Sequence, residues 1–486
     1  MSSELKKQSR AGVLSLLSGQ VARLAAQVIS LVVMARFLSP QDYGLTAVVI
    51  AIVSVGEVVR DFGLSSSAIQ ADALSASEKS NLFWINTLIG ALLAAGLFLL
   101  AGPLAVFYHD ARIEDIAQIM SAIFLINGLA TQYKAGLSRH MQFKALAVSE
   151  SAAALLSTAI GVACAIHGLG YWAIVVQQVL LNAFILLFYM CAHPWLPELP
   201  NFRTDMRRFV SFGLHLMGSQ IIGQLSRSVD TLIIGNKFSA ELLGFYNRAQ
   251  QIVFMALNQI NAPSSTLAIP VLSKLKHDTA EYYRFLNFGQ SVLLHAVGLF
   301  FSLLAINADM VIAIVLGDQW RATVPLVQIL SAGAIFQVAN YSSYWIFVSK
   351  GLTRQQLAFT LFSRPVMIAM IFLGSFYNIY TVAIGYVAGL AFLWLYCMYF
   401  LKKHQIDISL LLKNSLVVCF SYLAITFLVI FLSSVLSAGF INLLIRNAVF
   451  CLLAGLVFLM SSTFRETWLC VLRLNLINRI KLSKRN

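Results

Sequence analysis

Long apolar runs, broken by short polar segments, recur along the whole 486-residue chain. A helix needs about 20 apolar residues to cross about 30 Å of hydrocarbon. On that measure the pattern predicts fourteen spans, at 12–37, 43–67, 80–107, 115–137, 143–166, 170–190, 209–235, 241–269, 285–307, 323–348, 355–376, 380–401, 410–435 and 441–463. A short apolar piece, Met310–Leu316, follows the ninth. The longest interior connection, 191–208, carries Pro194, Pro197 and Pro200 and divides six spans from eight. The expected fold class is an all-α integral membrane protein.

An internal repeat refines that architecture. Shifted by 200 residues, Gln20 falls on Gln220, Ser39 on Ser239 and Gly44 on Gly244, while Val21 meets Ile221 and Met34 meets Ile234. Both segments are a span, a turn and the start of the next span. An even shift of six spans makes the repeat parallel, with lobes related by an axis along the membrane normal and a site between them. The expected organisation is therefore two pseudo-symmetric six-helix lobes, 1–190 and 209–401, around a central cavity. Residues 191–208 link them, and two extra helices (402–463) and a tail (464–486) follow.

Charge adds orientation. Hydrophobic residues make up 59% of the chain and charged ones 11%, against a net charge of +14. That balance excludes an ordinary soluble enzyme and a disordered chain. Such a net charge in a soluble protein would suggest a nucleic-acid partner, but here the cations sit in the connections. Twenty-five Lys and Arg fall on the side shared by the N-terminus and six on the other, which predicts that both termini are cytoplasmic. The first apolar run reads as a retained span rather than a cleaved signal peptide. The tail, from Trp468 to Asn486, mixes apolar and basic residues as a segment lying on an anionic leaflet would. Six cysteines, none in a CxxC, give no disulfide framework or metal site, and no nucleotide-hydrolysis or protease motif is present. No cofactor is expected.

Charge inside a span is expensive, about 2.5–3.5 kcal/mol for Arg on the insertion scale. Arg23, Arg227 and Arg364 carry it. Gln20, Arg23 and Gln27 form one helical stripe, and Gln220, Gln224, Arg227 and Thr231 form another in the repeat-related span. One reading is a wet cationic cavity that attracts an anion such as phosphate. The other is that each Arg pairs with a carboxylate and locks helices together. Asp230 could do so locally for Arg227, whereas Arg23 and Arg364 have no carboxylate within one turn. Glu57, Glu150 and Asp230 are candidates for ion coupling, Asp61 a weaker one. Asn247, Gln251, Asn258 and Asn261 make an amide stripe suited to sugar hydroxyls or to interhelical bonds; Pro263 and Pro270 are expected to bend or end that helix. Asn340, Tyr341, Tyr344 and Trp345 could stack on sugar rings or form an interfacial belt. His295 reads as a hydrogen-bonded packing residue.

The segments Arg36-Phe37-Leu38-Ser39-Pro40, Tyr43-Gly44 and Asp61-Phe62-Gly63 begin a series that continues through Phe83-Trp84-Ile85-Asn86, Arg139 and Met141-Gln142-Phe143. Asp230 to Gly235, Leu243 to Ala249 and Gly317-Asp318-Gln319-Trp320 complete it. In order and spacing, over about residues 5–400, the chain resembles the polysaccharide transporters of the MOP exporter superfamily, nearest to the Wzx-type flippases of the exopolysaccharide branch. That resemblance implies two six-helix bundles facing a central cavity, a bacterial inner-membrane location and no enzymatic activity. It also implies a polyprenyl-diphosphate oligosaccharide as cargo, moved from the cytoplasmic to the periplasmic leaflet. A polysaccharide polymerase and glycosyltransferases are candidate protein partners, with membrane lipids around the chain. The alternatives are a gradient-driven small-molecule exporter or a lipid II flippase of the same superfamily, and a membrane polysaccharide polymerase or ligase. The short outward connections count against the enzyme.

Overall fold

In hydrocarbon each unpaired backbone N–H or C=O costs several kcal/mol, so a chain this apolar closes its hydrogen bonds within helices. The computed structural model describes residues 3–65, 68, 74–201, 203–435 and 440–460. It is all-helical, with no strand among the described residues. The helices are α1 (Ser3–Phe37), α2 (Pro40–Asp61), α3 (Ala76–Phe107), α4 (Arg112–Arg139), α5 (Phe143–Ile166), α6 (Trp172–Ala192), α7 (Arg207–Lys237) and α8 (Ala240–Leu275). The rest are α9 (Thr279–Ile306), α10 (Ala308–Val315), α11 (Thr323–Ser349), α12 (Thr353–Gly374), α13 (Ile379–Lys403), α14 (Ser409–Val435) and α15 (Phe440–Met460).

Among the described residues, eleven helices are long and apolar enough to cross a bilayer, which makes this a multi-pass membrane protein. The other three expected spans fall on α7, α8 and α15. The first two are long but rich in polar residues; the apolar stretch of the third, Asn442–Val457, is short. Helix α8 does not end at its prolines but continues through Pro263 and Pro270 to Leu275. The expected tail, 464–486, lies outside the described residues.

Close packing divides the chain into residues 1–247 with 315–319, and residues 248–314 with 320–486. Helix α7 thus packs in the first unit, chiefly on α2.

In the first unit α1 lies on α5, α2 on α4 and α7, and α3 and α6 on α4. Turn chemistry sets where α2 begins. Ser39 and Asp42 form a capping box, with the Ser39 N–H donating to Asp42 Oδ2 at 2.8 Å and the Asp42 N–H to Ser39 Oγ at 3.2 Å, and Pro40 fits the first helical position. Asp42 also accepts the Tyr171 N–H at 3.1 Å, tying this turn to the start of α6. Gln319 donates to the carbonyl oxygens of Ala35 at 2.7 Å and Leu38 at 3.3 Å, which anchors residues 315–319 here.

The repeat-related turns meet each other. A Cβ on Gly44 would run into the carbonyl of Ala240, and a Cβ on Gly244 into the carbonyl of Pro40. Pro40 and Ala240 are themselves 200 residues apart, so the crossing of α2 and α8 is pseudo-symmetric residue for residue. Only hydrogen at both Cα positions permits that backbone approach.

The proline-containing segment after α6 is strapped onto α3 and α4. Asn81 and Asn201 exchange two bonds of 2.8 Å. Trp84 Nε1 donates to the Glu198 carbonyl at 2.8 Å, the Glu198 N–H to Ser80 Oγ at 3.1 Å, and the Tyr133 hydroxyl to the Trp195 carbonyl at 3.1 Å. Side chains satisfy backbone groups that no helix can here. His193 Nε2 lies 2.9 Å from Lys79 Nζ, and that ammonium sits 3.9 Å from the centre of the Trp195 ring. Burial, then the neighbouring Lys79 and His140, hold the His193 pKa below its usual value.

In the second unit α9 packs on α11 and α14, and α13 on α11 and α12. Trp345 is buried and donates to Ser265 Oγ at 3.1 Å. His295 is buried with Nδ1 3.4 Å from the Tyr422 hydroxyl. Helix α15 is held by a reciprocal amide pair, Asn307 with Asn447 at 2.9 and 3.0 Å, and by Arg446 on Asp309 at 3.0 Å.

Two predictions follow from these contacts within the first unit. Gly44→Ala and Gly244→Ala should each cost about 1–3 kcal/mol, read as a lower Tm in detergent. Gly96→Ala, where the added carbon meets nothing within 4 Å, should leave Tm unchanged. For His193, folding favours the neutral ring, so the unfolded chain binds more protons. Its contribution is complete above the usual histidine value and is lost as pH falls through about 6.5. Tm should therefore drop between about pH 7.5 and 5.5, and His193→Gln should flatten that decline.

Candidate functional site

Small residues bring α1 and α5 together. A Cβ on Gly19 would lie 2.8 Å from that of Ala147, and Ser151 Oγ donates to the Gly19 carbonyl at 3.1 Å. One turn beyond Gly19, Arg23 reaches across and forms an ion pair with Glu150 of α5 through Nη1 and Oε2. Tyr189 of α6, 1% exposed, donates its hydroxyl to Glu150 Oε1 at 2.7 Å. Lys134 of α4 places Nζ 3.5 Å from the same oxygen. Four helices thus converge on one carboxylate that carries two cations. Glu150 is 19% exposed, whereas Arg23 is 35% and Lys134 58% exposed.

A second cluster, more buried, ties α2 to α4. Arg60 Nη2 sits 2.8 Å from Glu57 Oε2, with Nε at 3.1 Å. Arg60 Nη1 also donates to the Asn127 carbonyl at 3.3 Å and to the Thr131 hydroxyl. Asn86 of α3 accepts from Gln132 at 2.9 Å and donates to the Arg60 carbonyl at 3.4 Å. Asp61 accepts from the Ser65 hydroxyl at 2.7 Å. Arg60 and Asp61 lie within electrostatic range of Lys134.

The other expected residues lie on α1, α7, α8 and α12. On α7 the exposed Arg227 guanidinium donates to Gln224 Oε1 at 2.7 and 3.1 Å, and Gln224 donates to Ser228 at 3.2 Å. Asp230, 1% exposed, accepts from the Tyr246 hydroxyl at 3.0 Å and from the Thr231 N–H at 2.8 Å. Gln20 and Gln27 are exposed on α1, and Asn258 is exposed on α8. Arg364 is half-buried on α12, beside Pro365 within that helix. Among the described residues, no group of three or more His, Cys, Asp or Glu could hold a metal ion.

Residues 33–325 match the model of the polysaccharide biosynthesis protein family, Polysacc_synt_3. The chain belongs to that family. Among the family's curated relatives, the teichuronic acid biosynthesis protein TuaB of Bacillus subtilis is 28% identical over 306 residues, 62% of this chain and 63% of its own length. The lipopolysaccharide biosynthesis protein WzxC of Escherichia coli is 22% identical over 357 residues, 71% of each chain. The succinoglycan biosynthesis transport protein ExoT of Rhizobium meliloti is 23% identical over 325 residues, 66% of this chain and 65% of its own. The fold is that of the lipid II flippase MurJ in an inward closed conformation, with a TM-score of 0.71 at 14% identity over 92% of this chain and 99% of that one. The polysaccharide biosynthesis fold also resembles an inward-facing multidrug transporter of the MOP superfamily, with a TM-score of 0.62 at 12% identity over 79% of this chain and 96% of that one.

In this member of the polysaccharide biosynthesis family, Arg23 finds its carboxylate on another helix rather than along its own. The charge count groups Lys134 and Arg60 with the cations of the N-terminal side, although both fall within the expected spans 115–137 and 43–67; both lie inside helices, where Glu150 and Glu57 offset their charge. A helical signal was present for Lys134, because Asn127, Thr131 and Lys134 are spaced four and three apart and share one face of α4. Nothing along the chain marks Tyr189 as the partner of Glu150.

Removing one partner of a mostly buried ion pair leaves the other charge uncompensated. Arg60→Ala should therefore destabilise the protein by about 3 kcal/mol, seen as a lower Tm in detergent. Arg60→Met combined with Glu57→Met should recover most of that loss.

Proposed function

We propose that the protein is a flippase for a polyprenyl-diphosphate-linked oligosaccharide, moving the repeat unit from the cytoplasmic to the periplasmic leaflet during surface or exopolysaccharide synthesis. The observation that carries this reading is the accessible pair of cations, Arg23 and Lys134, on Glu150 within membrane-crossing helices. A diphosphate and several sugars cannot enter hydrocarbon bare, since each unpaired polar group costs several kcal/mol. Cations within a bilayer are retained where they serve a polar pathway. Family membership, and relatives whose names assign them to the making or transport of teichuronic acid, lipopolysaccharide and succinoglycan, support a glycan as cargo.

In this reading the protein is a transporter and not an enzyme. It sits in a bacterial inner membrane with both termini cytoplasmic, and α7, α8 and α15 complete fourteen spans in two six-helix lobes and two extra helices. Arg23, Arg227 and Arg364 serve a cationic cavity that works by alternating access, with Gln20, Gln27, Gln224 and Asn258 meeting polar groups of the headgroup. Moving two negative charges outward against an interior-negative potential is downhill by about 2 × 2.3 kcal/mol per 100 mV. Coupling to an ion through Glu57, Glu150 or Asp230 would have to loosen contacts that each carboxylate already makes with Arg60, with Arg23 and Lys134, or with Tyr246. That requirement favours drive by the potential.

Deleting the gene in its host should abolish the surface polysaccharide and build up a polyprenyl-diphosphate oligosaccharide on the cytoplasmic side, measured by mass spectrometry of spheroplast lipids. Arg23→Ala, Arg227→Ala and Arg364→Ala together should fail to restore export although the protein inserts normally. Full export by that triple variant would remove the cationic-cavity mechanism. Unchanged glycan and lipid intermediates in the deletion strain would instead favour a small-molecule exporter.

A further inference from the structure

We infer that Glu150 is a resident counter-anion, which occupies the Arg23–Lys134 site when it is empty and competes there with the diphosphate of the cargo. The inference rests on the flippase reading and names the anion subsite within it. Lys134 and Tyr189 join that subsite from the structure alone.

The geometry sorts fixed from movable parts. Glu150 is held by the Tyr189 hydroxyl at 2.7 Å, and Tyr189 is fully packed. Helix α5, which carries Glu150, is locked to α1 through Gly19, Ala147 and Ser151. The carboxylate is therefore stationary. Arg23 and Lys134 approach it on long flexible stems and remain 35% and 58% exposed. They can turn to an arriving anion without moving a helix.

Charge decides who wins. Glu150 offers one negative charge to two cations, so within this trio one positive charge is left without a direct ion-pair partner; Arg60 is matched by Glu57, and Asp61 offsets part of that charge from farther off. A diphosphate brings at least two charges and several acceptor oxygens, which a guanidinium can grip in bidentate fashion. It displaces the carboxylate. The carboxylate in turn sets a ceiling on how tightly the diphosphate is held, because every ligand contact is gained at the loss of an internal one. A flippase must release its cargo in each cycle, so a site of two uncompensated cations would be a trap. The same carboxylate suppresses repulsion between Arg23 and Lys134 when no cargo is present, with Arg60 and Asp61 the further charges within range of Lys134.

The test uses the full-length protein in nanodiscs, with inorganic diphosphate and farnesyl diphosphate as probes in calorimetric titrations at low salt. Glu150→Gln keeps an acceptor for the Tyr189 hydroxyl and removes the charge. It should bind both probes about tenfold tighter than the wild type and export glycan more slowly in the deletion host. Lys134→Met, which keeps the apolar stem, should bind both about tenfold more weakly. Should Glu150→Gln lower Tm, Tyr189→Phe provides the second measurement. It leaves all three charges in place and frees the carboxylate, and should tighten binding about two- to threefold. Unchanged or weaker binding by Glu150→Gln at an unaltered Tm, or by Tyr189→Phe where it is not, overturns the inference. Complementation by the wild-type gene separates the two levels. If the gene restores the polysaccharide and the variants leave affinity unchanged, only the role of Glu150 is lost. If the deletion strain lacks neither glycan nor transport of it, the flippase reading is lost as well.

Discussion

An apolar solvent that cannot accept hydrogen bonds is the constraint on which this structure depends. It forces the backbone into helices, and it also removes the force that would pack them, since lipid tails are as apolar as leucine. Helices must then hold each other by close approach and by polar contacts. The first unit shows both. Gly19 against Ala147 and the paired Gly44 and Gly244 bring backbones together, while Ser151, Asn86 and Gln132 supply hydrogen bonds across the gaps. The second unit relies on the same means, with the Asn307–Asn447 pair securing α15.

The same constraint governs charge. A cation in this setting is tolerable when a carboxylate or a set of acceptors from another element reaches it. Arg60 is the strongly buried case: Glu57, the Asn127 carbonyl and the Thr131 hydroxyl enclose it, and little of it remains open to a ligand. Arg23 is the contrasting case. One carboxylate serves it together with Lys134, and both cations stay accessible. Arg60 is therefore enclosed by its partners, whereas the cations of the Arg23 cluster stay open on one side. Difference in exposure, not in residue type, separates them.

Much of the fold was legible because hydropathy reports the solvent directly. Spans such as 143–166 coincide with their helix, and the Ser39–Pro40–Asp42 start of α2 follows from capping chemistry that is local in sequence. The prolines of α8 do not end it, because lost backbone bonds can be borne within a packed helix. The candidate site was half legible. An arginine in the middle of an apolar run stands out by its cost, so Arg23 is a candidate from the sequence alone. Its partners cannot be read that way, because the pairing of α1 with α5 and α6 depends on which helix lies beside which. Residues 23, 134, 150 and 189 are brought together by tertiary packing that leaves no periodicity along the chain.

The repeat sharpens that distinction between scaffold and chemistry. At the 200-residue offset, Gly44 and Gly244 match, and so do their contacts with Ala240 and Pro40. That offset places Arg23 on Gly223, but it grows to about 210 in the later helices, where α11 carries no Lys or Arg to match Lys134 and α12 no carboxylate to match Glu150. None of the three charges is duplicated. Shared backbone geometry has been kept in both halves, where any loss would disturb helix packing. The charged set occurs once, in the first half. A duplicated scaffold with unduplicated charges is polar along one direction, and under the proposed reading a cargo with one diphosphate at one end needs no second copy of the charges.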